Sequence, residues 1–438
     1  MDYNSDKFKK IITSLNEGRN VLLHGPGGTG KSYLLKEIAF HYQKLGLKVG
    51  CTATTGVSAL NVNEPEREIF GCTLHRWAGI GLGEGEADKL IAIIQNNKKA
   101  VTRWTTTNIL IIDEVSMMGQ TLFEKLDYLG RIFRNTPNKP FGGILLVMSG
   151  DFLQLPPVKD EFVFKSKAWK KLELKPFIFD IPIRYEDSNF FHLLLRVRKG
   201  QQTKKDEELL YRRIAVYKKF CEIIKDMKDE EVIKPTEAYS HKIKVEMINT
   251  YELKKLPGEE VEFERIDKII KLKDKGYTKK YYEEQLKNAA PEKVILKVGA
   301  QVMLTYNLDV ENGLVNGSRG VVTEIHKESG IVKVKFLKAG EVVITRQEWE
   351  FSDKYGKGVR SQIPLILAWA HTIHKLQGCT LDYCIMNLGN SIFASGQAYV
   401  ALSRVRCIKG LFLSSFSPSA IITDQEALEY VKDIEKDL

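Results

Sequence analysis

The sequence predicts an α/β protein with two parallel-sheet domains, the second interrupted by inserts, and three observations carry that prediction. Two near-continuous apolar runs, Asn108-Ile-Leu-Ile-Ile-Asp-Glu-Val-Ser-Met117 and Gly143-Ile-Leu-Leu-Val-Met-Ser-Gly-Asp151, read as strands buried on both faces. A glycine-rich stretch, Gly25-Pro-Gly-Gly-Thr-Gly-Lys-Ser32, joins the apolar Val21-Leu-Leu23 to the helix-like Tyr33-Leu-Leu-Lys-Glu-Ile-Ala-Phe40. A second α/β set begins near Phe177-Ile-Phe-Asp-Ile181, resumes at 363–370 and 381–388, and ends with Leu411-Phe-Leu413.

In chain order, Phe8, Ile11, Ile12 and Leu15 mark a short amphipathic helix over 6–18, closed by Glu17-Gly18. The glycine-rich loop and a helix to about Leu45 follow. Gly50–Leu60 reads as a short strand running into a second helix, and a loop leads to Thr73-Leu-His-Arg-Trp77. The turn at 79–85 precedes a helix around 87–97. Residues 1–158 therefore form one α/β domain. Residues 204–290 are charge-rich and mainly helical, with a short strand near 233–240. In 292–350 the lysines Lys333 and Lys335 alternate with Val332, Val334 and Phe336, the period of a strand with one wet face. Asn312-Gly313 and Asn316-Gly317 read as hairpin turns, so this insert is expected to be a small antiparallel barrel.

At 438 residues the chain exceeds one core and suggests about three domains. Hydrophobic content of 43% and charged content of 28% are ordinary for a globular protein, and no apolar run is long enough to span a membrane. The first ten residues lack the apolar core of a secretory signal and the Arg-rich character of a transit peptide. The 6 cysteines are scattered without Cys-x-x-Cys spacing, as expected of reduced thiols rather than a zinc site or disulfide framework. The expected location is intracellular, nucleus or cytoplasm, with no membrane attachment. The net charge of +10 suits a polyanionic partner, but the excess is spread along the chain and serves only as support.

The chemistry starts at the glycine-rich loop. Gly25, Gly27, Gly28 and Gly30 allow the backbone to turn tightly and aim N–H groups at phosphate oxygens, and the following helix adds its positive end. Lys31 is expected to reach the β- and γ-phosphates, and the Ser32 hydroxyl to ligate Mg²⁺. Asp113 and Glu114 end a buried strand: Asp113 would hold Mg²⁺ and Glu114 would activate the attacking water, unless they are a solvated pair at a strand end. Gln154, on a loop stiffened by Pro156 and Pro157, could sense the γ-phosphate. Arg184 and Arg404 could complete the site from the second domain. Arg404 reads equally as a favourable charge near a helix C-terminus. Thr372, His374 and Lys375 offer polar and basic tips at a strand end, and Thr54, Thr55, His75 and Trp77 offer similar groups from the first domain, for gripping phosphates and stacking on bases. Taken singly, His75 and Trp77 read better as core side chains.

Together these stretches resemble the Pif-one family of DNA helicases, superfamily 1 subgroup B, over nearly the whole chain. The matching stretches are Gly25–Ser32, Thr52-Ala-Thr-Thr-Gly56, Thr73-Leu-His75, Asp113-Glu-Val-Ser-Met117 and Gly150-Asp-Phe-Leu-Gln-Leu-Pro-Pro-Val158. Arg184-Tyr-Glu-Asp187, Gly313–Gly320, Ala368–Gly378 and Gly396–Arg404 follow. The most family-specific piece is Leu126, Asp127, Arg131 and Arg134 followed by Pro140-Phe-Gly-Gly-Ile144.

The resemblance implies two RecA-like motor lobes with ATP between them. The first lobe would span 1–158, with a small wedge at about 76–105. The second would span 159–291 and 351–438, with an SH3-like barrel inserted at 292–350. It implies a monomer in the free state that moves 5′→3′ on single-stranded DNA, engages single-strand/duplex junctions, and unwinds duplexes and G-quadruplexes. Work in replication, repair, recombination and telomere maintenance is implied as well. Carried over residue by residue, Lys31, Ser32, Asp113, Glu114, Gln154, Arg184 and Arg404 take the catalytic roles. Gly25, Gly27, Gly28, Thr29, Gly30 and Gly378 join the nucleotide-binding set. Thr54, His75, Thr372, His374 and Lys375 fall in strand-contacting segments.

Two positions depart from the family pattern. No Gln stands in Asp6-Lys-Phe-Lys-Lys10, where the family reads adenine, so strict ATP preference is not implied. Tyr185 stands where the family has Gln after the motif arginine. The chain also has the look of a bare helicase core, without the N-terminal extension of nuclear and mitochondrial relatives. Two rivals remain at this stage. One is a nucleic-acid-stimulated translocase acting on RNA or displacing bound proteins without strand separation. The other is a binding module with a decayed motor, which the intact Lys31, Asp113, Glu114, Gln154, Arg184 and Arg404 argue against.

Overall fold

A computed structural model describes residues 2–436 apart from 63, 82, 226–233, 272–278, 280–281, 284–285, 287–289, 307, 310–311, 313, 315–316, 338 and 353–355. The chain divides into two units. Residues up to Gln201, Ala394–Gly396 and those from Ile422 onward form the first; Gln202–Phe393 and Gln397–Ile421 form the second.

The first unit is built on a six-stranded sheet: β1 (Val21–His24), β2 (Val49–Ala53), β3 (Gly71–Thr73), β4 (Ile109–Asp113), β5 (Leu145–Gly150) and β6 (Lys175–Ile178), in the order β3-β2-β4-β5-β1-β6. Every pairing is parallel. The apolar runs form β4 and β5 because helices cover both faces, so neither strand has a wet side. The helix Lys31–Lys44 buries Leu34, Leu35, Ile38, Ala39 and Tyr42, the helical spacing of one face. As β1, β4 and β5 are parallel neighbours in one sheet, the loops leaving their carboxyl ends open on the same edge, where α/β sheets bind ligands.

Two expectations about the limits of the first domain fail. The strand at 175–178 does not begin a second domain. It is the sixth strand of the first sheet, with Val21 opposite Lys175 and Leu23 opposite Phe177. The C-terminal segment also belongs to the first unit. Its helix Gln425–Lys436 buries Ala427, Leu428 and Val431. Tyr430 stacks on Phe164 at 4.3 Å and accepts from Trp169 Nε1 at 3.0 Å. Apolar contact made across the length of the chain outweighed proximity in sequence.

At the expected wedge, residues 74–106 form the helices Leu74–Ala78, Ala87–Gln95 and Lys98–Thr106. Leu90, Ile94, Ala100 and Trp104 pack into the same apolar cluster as Leu110 and Leu146 of the sheet. The Asp127–Ile144 signature is structural. Asp127 accepts the Phe141 amide at 2.7 Å and Arg131 Nε at 2.8 Å. Arg134 donates to the carbonyls of Gly142, Trp104 and Thr107. These bonds hold buried Phe141 at φ +49, a conformation that is costly for a side chain of its size.

The second unit contains β7 (Thr236–Tyr239), β8 (Val261–Glu264), β9 (Ile266–Lys271), β10 (Lys293–Leu296), β11 (Gln301–Leu304), β12 (Arg319–His326) and β13 (Ile331–Phe336). It continues with β14 (Gly340–Ile344), β15 (Gln347–Ser352), β16 (Gly356–Gln362), β17 (Leu365–Leu367), β18 (Ala370–Thr372), β19 (Cys384–Leu388) and β20 (Leu411–Phe416). A four-stranded parallel sheet runs β18-β7-β19-β20, beside antiparallel sheets β14-β13-β12-β11-β17, β15-β16-β9 and β10-β8. The antiparallel strands begin before 292 and continue past 350, outside the limits expected for the insert. Val332, Val334 and Phe336 are buried while Lys335 is exposed, as the alternation predicts. The run expected as one strand over 363–370 is divided between two sheets. Ala368 N–H donates to Gln301 O at 2.8 Å, whereas Trp369 O accepts from Glu237 N–H at 2.7 Å, so the backbone changes partners between adjacent residues. The two Asn-Gly turns include positions 313 and 316, outside the described residues. No helix among the described residues is long and apolar enough to cross a membrane.

Candidate active site

His24 closes β1, and the loop that follows ends at Gly30, the N-cap of the helix Lys31–Lys44. Gly28 sits at φ +81, and a Cβ there would lie 2.7 Å from Arg184 Cβ. A side chain would strain the turn and displace its neighbour. Ile183 and Arg184 donate their amides to the Gly28 carbonyl at 2.8 and 3.0 Å. Arg184 therefore stands beside the phosphate loop within the first unit, not in a second domain as expected. Tyr185, the departure from the family pattern, is buried against Phe190 and Phe191.

Lys31 Nζ donates to the carbonyls of Gly25 and Pro26, both at 2.7 Å, and Thr29 Oγ1 donates to Pro26 O at 2.9 Å. The loop thus curls around the ammonium group. Burial lowers the Lys31 pKa, and Asp151, Glu114 and Asp113 oppose that shift. Ser32 Oγ donates to Asp113 Oδ2 at 2.8 Å, and the Glu114 amide donates to Oδ1 at 2.9 Å. Burial raises the Asp113 pKa against these stabilising bonds.

Glu114 adopts φ 53 and ψ 41, the left-handed region. Such a conformation costs on the order of 1–3 kcal/mol in a non-glycine residue and tends to occur at functional sites. Thr54 holds it: its amide donates to Asp113 O at 3.2 Å and its hydroxyl to Glu114 O at 2.9 Å. Gln154 is buried on the loop after β5, its amide donating to Asp151 O at 3.0 Å.

Sequence reading missed the group beneath this site. Arg198 Nε lies 3.0 Å from both carboxylate oxygens of Asp151, and another of its nitrogens lies 2.8 Å from Oδ1 and 2.9 Å from His24 Nε2. All three side chains are buried. Burial, with the Arg198 charge next, pushes His24 down to about 3, so the ring is neutral. Arg198 keeps the Asp151 pKa low despite burial. The available signal was Gly150-Asp151, a carboxylate directly after a buried strand, beside Asp113 at the end of another.

The candidate nucleic-acid residues divide. Trp77 is only 3% exposed, packs edge-on against Trp104 at 4.8 Å and covers Gly50. It is a core side chain, which corrects its expected role as a stacking platform. Thr55 Oγ1 bonds Ser58, capping a short helix, and His75 is half-buried with its pKa lowered by burial. In the second unit Thr372 caps the helix Ile373–Leu376 through the Lys375 amide; His374 is half-buried and Lys375 exposed. Gly378 sits at φ +83 just after this helix. Arg404 is buried and donates to the carbonyls of Val400 at 2.7 Å, Leu376 at 3.3 Å and Cys379 at 3.3 Å. In this structure it ties the end of the helix Gln397–Leu402 to the segment Leu376–Cys379.

Comparison with known proteins points to one family. The profile described as PIF1-like helicase matches residues 4–208, and that of the DNA helicase Pif1 2B domain matches 284–325. The chain is 37% identical to the ATP-dependent DNA helicase PIF1 of Danio rerio over 438 residues, covering 98% of this chain and 63% of that protein. It therefore spans less than two thirds of that relative. The crystal structure of Pif1 helicase from Candida albicans is 34% identical, with a TM-score of 0.77 and coverage of 98% of both chains. Pif1 helicase from Bacteroides in complex with ADP-AlF3 and ssDNA is 25% identical, with a TM-score of 0.68 and coverage of 98% of this chain and 97% of that one.

Proposed function

The chain belongs to the PIF1-like helicase family, and on that premise we propose that it is an ATP-dependent DNA helicase. It would move 5′→3′ on single-stranded DNA and separate duplexes, with hydrolysis coupled to movement of its two RecA-like units. The observation that carries the ATPase reading is the convergence of Lys31, Ser32 and Asp113 at the end of a parallel sheet, with Ser32 and Asp113 in contact at 2.8 Å. That the related Bacteroides protein was crystallised with a nucleotide analogue and ssDNA supports the choice of ligands.

In this reading Lys31 exchanges the Gly25 and Pro26 carbonyls for phosphate oxygens. Glu114 orients the attacking water and accepts its proton, while Gln154 senses the γ-phosphate and Arg184 adds positive charge beside the loop. Arg404 is assigned to hydrolysis by resemblance alone, and would have to leave its present carbonyl partners. Gly378 remains a nucleotide-binding candidate on the same footing.

The Ser32 hydroxyl and Asp113 carboxylate fit Mg²⁺, being hard oxygen donors already side by side. Among the described residues no group of three or more His, Cys, Asp or Glu forms a cation site, so phosphate and water would complete the shell. A bound Mg²⁺ would neutralise charge on the β- and γ-phosphate oxygens.

Thr55, His75, Thr372, His374 and Lys375 are proposed strand contacts, with Thr54 instead holding Glu114. Helices 74–106 are proposed as the wedge, the antiparallel strands of the second unit as the SH3-like domain, and the free protein as a monomer.

The test is strand separation on matched duplexes carrying a 5′ or a 3′ single-stranded tail, with ATP and Mg²⁺. Unwinding from the 5′ tail alone is expected, and Lys31→Ala should abolish hydrolysis while retaining single-strand binding. Unwinding from the 3′ tail alone would overturn the direction. DNA-stimulated hydrolysis without unwinding would indicate a translocase instead.

A further inference from the structure

The buried group of Arg198, Asp151 and His24 does no chemistry in the mechanism above, yet it lies between the two loops that carry it. His24 is the last residue before the phosphate loop, and Asp151 the first residue after β5, three positions before Gln154. The β1–β5 ladder ends with His24 opposite Gly150, and the backbone bond beyond it is long, Gly25 N–H donating to Gly150 O at 3.4 Å. Past the ladder the side chains carry the connection, since Arg198 reaches Asp151 and His24 with bonds of 2.8–3.0 Å.

We propose that Arg198 is a positioning residue for ATP hydrolysis: its guanidinium fixes the phosphate loop and the Gln154 loop in one register, so that Gln154 meets the γ-phosphate that Lys31 holds. This inference rests on the ATPase reading of the site. Arg198 is 2% exposed and Asp151 0%, so neither presents itself to a ligand, and the effect runs through what they hold. Asp151 passes the constraint onward. Its Oδ1 accepts the Leu153 amide at 3.1 Å and its carbonyl accepts the Gln154 amide at 3.0 Å. Phe152 stacks on the His24 ring at 5.8 Å with an interplanar angle of 13°, adding an apolar contact between the same two loops.

Two further contacts converge on this group. Gly396 presses on the Gln154 backbone, where a Cβ would lie 2.2 Å from Gln154 O, and its φ of +70 excludes most side chains independently. Thr423 Oγ1 donates to Arg198 O at 3.4 Å. Arg198 ends the helix Ser188–Arg198, three residues before the chain leaves the first unit at Gln201. A planar fork suits such a task, because two parallel N–H bonds fix orientation as well as distance, which an ammonium cannot do. A buried ion pair is a poor source of stability compared with apolar packing, so its use at this point is better explained by the geometry it imposes.

The test uses the full chain and a double-mutant cycle between Arg198→Lys and Gln154→Ala. Single-strand-stimulated hydrolysis and the Kd of a fluorescent ADP are read for each variant, with thermal unfolding as the control for folding. Arg198→Lys should lower kcat by about tenfold or more while leaving the ADP Kd within about threefold. The double variant should be no slower than Gln154→Ala alone, because both lesions act through the same contact. If the two kcat losses multiply, or if the Arg198→Lys loss matches only its loss of folded protein, the proposal fails. Should Arg198→Lys not fold, Asp151→Asn takes its place in the cycle, and failure of both to fold would leave Arg198 a purely structural strut and overturn the proposal. Hydrolysis retained in Lys31→Ala would refute the ATPase reading itself. An inactive Lys31→Ala beside a fully active Arg198→Lys would refute only the positioning role.

Discussion

The Thr54 hydroxyl donates to the carbonyl oxygen of Glu114 at 2.9 Å and so restrains the one residue of the β4 carboxyl end held at φ +53. This bond turns a threonine expected to grip nucleic acid into part of the support for a strained carboxylate.

If the strain serves catalysis, removing it should separate stability from activity. Glu114→Gly is expected to raise the unfolding free energy by about 0.5–1 kcal/mol, because relief of the left-handed steric penalty outweighs the entropy that glycine adds to the unfolded chain. Hydrolysis should fall by about a hundredfold or more. Glu114→Gln should lose activity similarly without the gain. Denaturant unfolding with steady-state hydrolysis checks both, and a Glu114→Gly protein less stable than wild type would show that the conformation is not strained.

Trp77 offers a contrast between core and interface. With the ring buried against Trp104, Trp77→Ala should cost about 3–5 kcal/mol of stability. The folded fraction should bind single-stranded DNA with unchanged affinity. A weakened Kd with unaltered stability, measured by fluorescence anisotropy beside urea unfolding, would restore the stacking role.

Two buried histidines predict a pH dependence. Burial holds His24 and His371 near 3, with neighbouring positive charges acting in the same direction. In the unfolded chain each titrates at about 6.5. Above that value neither state carries the proton and stability is unaffected. As pH falls below about 6.5 the unfolded chain takes up protons that the folded protein refuses, and stability drops until the folded rings titrate near 3. Each histidine contributes about 1.4 kcal/mol per pH unit inside that window. Urea unfolding at a series of pH values should show the loss, and His371→Gln should reduce proton uptake on unfolding by about one. An unchanged slope in that variant would place the ring's protonation elsewhere.

What the sequence determined by itself was local chemistry. The glycine pattern from Gly25 to Ser32, the carboxylates ending the 109–113 strand and the lysine alternation of 331–336 depend on residues close together in the chain, where backbone geometry and side-chain period are set by neighbours. Tertiary structure alone decided which distant segments share a sheet or a core. The strand at 175–178 joined β1, the C-terminal helix returned to cover Phe164, Trp77 turned inward, and Arg198 met Asp151 and His24. The physical reason is that burial is a relation between segments. An apolar or charged side chain shows by its type that it needs a partner, but only the packed chain supplies the desolvated surface or buried counter-charge that determines which partner it takes.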